Sequence, residues 1–100
     1  WEYAHADVFF ITTHLGKVPV VVVVDEWSRY AWAKPVVAMY RVRDALALWA
    51  SETRAPEGIR RVLRSDNGTE FSSEETRVLM SGLGIAQEFS PAFVIIKLGG

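Results

Sequence analysis

Five consecutive valines, Val20 to Val24, preceded by Val18-Pro19 and closed by Asp25, constrain this chain more than any other feature. The run is far shorter than the roughly 20 apolar residues that cross a membrane as a helix, so it reads as a buried β-strand and not as an anchor. A buried strand needs neighbours. Glu2 to Thr13 (EYAHADVFFITT) is aromatic and β-branched with rough alternation, and His14-Leu15-Gly16-Lys17 offers a turn between the two, which predicts a β-hairpin. Arg29 to Val37 (RYAWAKPVV) follows the short Glu26-Trp27-Ser28 connection as a third strand. Its Pro35 suits a strand end or a sheet edge, where a missing N–H does little harm.

From Arg41 the apolar period changes. Val42, Ala45, Leu46, Trp49 and Thr53 form one stripe on a helix that ends before Ala55-Pro56-Glu57-Gly58, although no good N-cap residue precedes it. Ile59 to Ser65 (IRRVLRS) reads as a fourth strand, broken by Asp66-Asn67-Gly68. Ser72-Ser73-Glu74-Glu75 has the pattern of a capping box, with Ser72 as N-cap and Glu75 reaching back, for a helix whose buried side is Val78, Leu79 and Leu83. Gly84 stops that helix and Ile85 to Phe89 is a fifth strand. Three hairpin-linked strands followed by two strands that return through helices predict an α/β fold with a five-stranded mixed sheet, the skeleton of the ribonuclease H-like fold.

With 100 residues, half of them apolar, the chain suits one domain with an ordinary core. It has no Cys, which excludes a disulfide framework and allows a reducing, intracellular setting. It starts at Trp1 without the regions of a signal peptide and so reads as a piece of something longer. A net charge of −1 argues against a strongly basic nucleic-acid binder. The positive charge is nonetheless uneven: Arg54, Arg60, Arg61 and Arg64 cluster around the fourth strand, either as solvated faces or as a phosphate-facing strip.

Two acids sit where acids need a reason. Asp7 lies inside the first strand between Ala6 and Val8, and an ionised carboxylate on a strand is costly unless it is paired or metal-bound. Asp66 ends the fourth strand. Should the two strands be neighbours, the carboxylates repel one another unless a divalent cation lies between them. Oxygen ligands without a His or Cys cluster point to Mg2+ or Mn2+. Asp66-Asn67-Gly68 is also an ordinary turn sequence, in which Asp and Asn bond their own backbone and Gly takes positive φ. Asp25 reads as a strand-terminating acid or cap, and His5 and His14 have no metal-ligand spacing.

HADVFFIT, VVVVDEWSRYAWAKP, VLRSDNGTEF and GIAQEFSPA, in this order, resemble the catalytic core of retroviral and retrotransposon integrases, copia-like elements and related transposases, over residues 1–92. The resemblance implies a ribonuclease H-like domain that performs DNA integration by Mg2+-dependent 3′-end processing and strand transfer. Its catalytic and metal-binding acids would be Asp7 and Asp66, Asn67 and Gly68 would border the DNA, and Arg64 would contact the DNA backbone. The implied partners are element ends, target DNA and further copies of the chain. The implied setting is intracellular, and nuclear if the element is eukaryotic.

The family's third acid, a Glu, would fall just past Gly100, and residues 93–100 (FVIIKLGG) form an apolar tail unlike the family's segment there. Two-metal phosphoryl transfer needs ligands on both sides of the phosphate, so the chain alone is expected to be inactive or nearly so. The alternative is a non-catalytic remnant acting in assembly or DNA tethering. A phospho-acceptor domain built on Asp25 fits poorly, because the early strands are not alternating βα units. The tail, or the Trp-bearing helix, is expected to promote self-association.

Overall fold

The computed structural model describes residues 1–36, 41–53 and 55–90. Its elements run β1 (Tyr3–Thr13), β2 (Gly16–Asp25), β3 (Ala31–Pro35), α1 (Val42–Glu52), β4 (Arg61–Ser65), α2 (Thr69–Ser72), α3 (Glu74–Gly82) and β5 (Ile85–Phe89). The strands form one mixed sheet in the order β3-β2-β1-β4-β5, the first three antiparallel, with β4 parallel to β1 and to β5. This is the sheet expected from the sequence. Pro35 does end an edge strand.

The hairpin turns on His14-Leu15, where Gly16 has φ 118°, a left-handed conformation that costs a glycine little. Alternation then sorts the side chains. Ala4 and Ala6 of β1, Val21 and Val23 of β2, Leu63 and Ser65 of β4 and Ile85 of β5 are buried on one face. Against them pack Ala45, Leu46 and Trp49 of α1, Phe71 of α2 and Met80 of α3. Each large side chain buried there is worth about 1.5–3 kcal/mol of transfer free energy. Tyr3, His5 and Asp7 alternate with the buried alanines onto the opposite face, which no helix covers among the described residues. Beyond Asp7 the hairpin outruns β4, so Phe9 and Ile11 are each 53% exposed.

Trp49 is fully buried beneath Arg61, whose guanidinium carbon lies 4.3 Å from the ring centroid. Arg61 also donates to Ala50 O at 3.2 Å, Thr53 O at 3.4 Å and Thr53 Oγ1 at 2.6 Å, and burial lowers its pKa. It thereby satisfies the terminal carbonyls of a helix that has no basic residue in its own last turn. One of the clustered arginines is therefore a structural cap, and the Trp-bearing helix turns its indole inward, away from any partner.

Several boundaries differ from the sequence expectation. β3 begins at Ala31 because Asp25 N–H donates to Tyr30 O at 2.8 Å and Arg29, at φ 66°, closes the turn. β4 begins at Arg61 because a turn places Ile59 N–H on Pro56 O at 3.0 Å. The missing cap of α1 is supplied from inside the helix: Asp44 Oδ2 accepts Arg41 N–H at 2.9 Å. A short helix, α2, occupies the residues before the expected capping box, so Ser73 and not Ser72 caps α3, accepting from Thr76 N at 3.3 Å. Glu75 does not reach back but pairs with Arg43 and, at 3.4 Å, with Arg41 of α1. The buried side of α3 is correspondingly Thr76 and Met80 with Leu79 beside them, while Val78 and Leu83 are exposed. Val37, Arg54 and the tail from Phe93, with the proposed boundary before it, lie outside the described residues. No helix among the described residues is long and apolar enough to cross a membrane.

Candidate functional site

The parallel ladder that joins β1 to β4 pairs Tyr3 with Val62, Ala4 with Leu63 and His5 with Arg64. Carried on by two residues, this register would set Asp7 level with Asp66, the first residue after β4. A ladder continued that far would hold the two backbones about 4.8 Å apart. Leu63 and Ser65 point into the core and Arg64 points to the uncovered face, where it meets Glu88 and Tyr3. The pleat places Asp7 on that same side. Two acids with 58 residues between them in the chain would thus come close at the end of β4.

Local backbone fixes one oxygen of each carboxylate. Even-numbered residues of β1 turn their backbone toward β4, as Glu2 O shows by accepting Val62 N–H at 2.7 Å. Val8 N–H therefore points to where β4 has already ended, and Asp7 Oδ1 accepts it at 2.8 Å. Asp66 Oδ1 accepts Gly68 N–H at 2.9 Å, which is the turn read from Asp66-Asn67-Gly68. Among the described residues the remaining oxygen of each acid makes no hydrogen bond, and no Arg or Lys pairs with either group.

Gly68 is there for a different reason than the turn sequence suggests. Its φ is −64°, which any residue can adopt. A Cβ at this position would lie 3.0 Å from Asp66 Oδ1 and 3.0 Å from Glu70 Oε1, so the space is already taken by two carboxylates. Glu70, which the sequence reads as a solvated or locally bonded acid, is exposed and folds back beside Gly68, as the Asp-Asn-Gly-x-Glu spacing allows. The Gly68 carbonyl then starts α2, accepting Phe71 N–H at 3.0 Å, Ser72 N–H at 2.9 Å and the Ser72 hydroxyl at 3.0 Å.

This donor set suits a hard divalent cation: two half-buried carboxylates, each steadied by a backbone N–H and without a counterion among the described residues. Among the described residues no group of three His, Cys, Asp or Glu side chains gathers to hold a metal. Arg64 is committed elsewhere, donating to Glu26 Oε1 at 2.7 Å and Glu88 Oε1 at 2.9 Å and lying 5.1 Å over Tyr3. The hydrogen bond to Glu88 raises its pKa further. Asn67 is exposed at the tip of the loop. Asp25 does not join the site. It is buried, and its Oδ2 accepts both the Ser28 hydroxyl at 2.5 Å and Ser28 N–H at 3.2 Å.

Comparison with known proteins assigns the architecture. The family model described as integrase core domain matches residues 2–93. No curated protein matches the chain. Among solved structures, 98% of the chain aligns with a chain of the simian T-cell lymphotropic virus intasome in complex with PP2A regulatory subunit B56 gamma, at TM-score 0.76 and 16% identity, covering 37% of that chain. The HTLV-2 integrase catalytic core domain in complex with magnesium, in its trimeric form, aligns with 98% of the chain at TM-score 0.74 and 19% identity, covering 64% of that chain. These likenesses establish a ribonuclease H-like integrase-core fold, and the chain spans less than two thirds of either relative.

Proposed function

This chain belongs to the integrase core domain family, and we propose on that basis that it is the acid-bearing core of a DNA-integrating enzyme, with Asp7 and Asp66 as the catalytic pair. The observation that supports the reading is the parallel ladder of β1 on β4, whose last pair, His5 with Arg64, lies two residues before each acid. They would hold Mg2+ or Mn2+, the former being the ion named in the HTLV-2 integrase complex. A cation held there supplies charge to activate an attacking oxygen and to stabilise a leaving one at a phosphodiester.

The chain's own residues then position and orient. Asp7 and Asp66 each keep one oxygen fixed by a backbone N–H, which limits how far either carboxylate swings. Asn67, exposed at the tip, and Gly68 form the loop after Asp66 and would border the DNA. Arg64 is the third proposed DNA contact, and it reaches a phosphate only by exchanging Glu26 or Glu88 for it. The substrates are an element's DNA ends, where water exposes a 3′-hydroxyl, and target DNA, which that hydroxyl attacks. Assembly of several copies is proposed from the intasome and trimeric forms of the relatives.

Because the described residues offer two acids where a pair of metals requires more, the 100-residue chain alone is expected to show little or no strand transfer. The same shortage favours a second reading, a non-catalytic remnant that tethers DNA or assembles with other copies. Calorimetric titration with Mn2+ separates the two: binding lost in Asp66→Asn supports the site, and no binding by the unsubstituted chain supports the remnant. Robust Mn2+-dependent nicking by this chain, abolished by Asp66→Asn, would overturn the expectation of inactivity.

A further inference from the structure

Two arginines at the start of α1 share one acid of α3. Arg43 and, at 3.4 Å, the N-cap residue Arg41 both donate to Glu75 Oε2, and neither side chain has another ion pair among the described residues. All three groups stand open to solvent, Arg41 at 65%, Glu75 at 58% and Arg43 at 38% exposure. Exposed pairs of this kind add little to stability, so holding α1 to α3 is a weak reason for two cations to converge on one oxygen. Most of their N–H donors stay unused among the described residues. The pair lines a cleft with Thr69, Glu70, Ser73 and Glu75, and with Val42 and Thr76. The Thr69 side chain is exposed there, and its hydroxyl makes no hydrogen bond among the described residues.

The cleft adjoins the acid loop. Thr69 and Glu70 follow Gly68 directly and begin α2. Glu70 belongs to both places: it lines the cleft, and its Oε1 lies 3.0 Å from where a Cβ at Gly68 would stand, as does Asp66 Oδ1. Glu70 thus leans toward Asp66, which leaves Glu75 as the acid between the arginines. Guanidinium forks match phosphate oxygens, and two forks that meet on one carboxylate oxygen can meet on one phosphate in the same way. Arg41 and Arg43 against Glu70 and Glu75 leave the cleft without net charge, so a free anion gains little there, whereas a DNA strand is brought by its other contacts. Resting on the DNA-integrating reading above, we propose that Arg41 and Arg43 clamp a backbone phosphate of the strand that passes the Asp66–Gly68 loop, and that Glu75 fills this clamp until the phosphate replaces it.

Fluorescence anisotropy with a short labelled DNA duplex, in EDTA and at low salt, tests this on the full 100-residue chain. Two variants change the clamp, Glu75→Gln and Arg43→Gln. Two controls, Glu74→Gln and Arg77→Gln, remove the same charges from residues that line a different groove, beside β5. Relative to the unsubstituted chain, Glu75→Gln should bind about threefold or more tightly and Arg43→Gln about fivefold or more weakly with a shallower salt dependence, while both controls stay within about twofold. A pairing that only joins α1 to α3 gives no gain in Glu75→Gln, and that result would overturn the proposal. Controls that move as far as the clamp variants would overturn it too, since charge alone would then explain the binding. So would a failure of both the unsubstituted chain and Glu75→Gln to bind DNA, or displacement of the duplex by inorganic phosphate as effective as by unlabelled DNA at equal phosphate concentration, which would assign the cleft to a free anion. EDTA removes the metal from the measurement, so the clamp and the acid pair tested by Mn2+ titration can fail separately.

Discussion

Asp25 and Asp66 occupy the same kind of place in the sequence, each an acid at the end of an apolar strand and each followed by a turn, yet they differ in what holds their oxygens. Asp25 is buried, with both a hydroxyl and an N–H of Ser28 on one oxygen. The Ser28 hydroxyl, donating to the carboxylate, holds its pKa below the ordinary 3.8. Asp66 is half-buried, accepts one N–H from Gly68 and follows the strand that pairs with the one bearing Asp7. An acid whose charge is already satisfied by its own turn is structural. An acid left partly unsatisfied beside a second acid is available to a cation.

The comparison breaks first on stability. Asp25→Ala removes the two Ser28 hydrogen bonds to a charged group and should cost about 3 kcal/mol, read as the urea midpoint. Asp66→Asn should leave metal-free stability within about 0.5 kcal/mol, since it also removes repulsion from Asp7. A large loss in Asp66→Asn would make that acid structural too. Its effect belongs to metal binding, where Mn2+ affinity by calorimetry should fall about tenfold or more, because affinity follows the charge of the ligand set. The same titration on Ser28→Ala should show unchanged affinity.

Gly68→Ala sharpens the contrast at shorter range. The added carbon meets Asp66 Oδ1 and Glu70 Oε1 at 3.0 Å and should cost about 1 kcal/mol by thermal unfolding while also weakening Mn2+ binding. The acid dependence of folding separates the acids once more. Asp25 has its folded pKa lowered, so the stability it contributes is present above the unfolded value of 3.8 and lost as pH falls through the lower folded value. Urea midpoints followed from pH 5 downward should show this loss in the unsubstituted chain and less of it in Asp25→Ala. The smallest effect is expected at Arg64→Gln, where a partly exposed pair of ion bridges is worth under about 1 kcal/mol.

Most of the fold was legible because its signals are local. The valine run, the Gly16 turn and the α1 stripe each name their element through period and turn chemistry, and each element formed where expected, except that Thr53, read as the stripe's last member, is the C-cap of α1. Capping was less legible. Serines at 72 and 73 are equivalent as caps in sequence, and the choice fell to Ser73 because α2 uses Ser72 to bond the Gly68 carbonyl. That choice shifted the buried side of α3 to Thr76 and Met80 and left Val78 exposed. The arginine cluster was read as one surface, but strand alternation divides it: Arg61 caps α1 over Trp49, and Arg64 bridges Glu26 and Glu88 on the other face.

By itself the sequence determined the strand and helix content, the antiparallel start and parallel continuation, and the choice of Asp7 and Asp66 as acids out of place, since these follow from the residues adjacent along the chain. Only the tertiary structure decided that β4 lies against β1 in the register that pairs His5 with Arg64, because that register depends on how the crossover through α1 packs. It also decided that Gly68 is selected by space and not by backbone angle. The space is defined by Asp66 and Glu70 folding back around the loop, a contact that no local rule specifies.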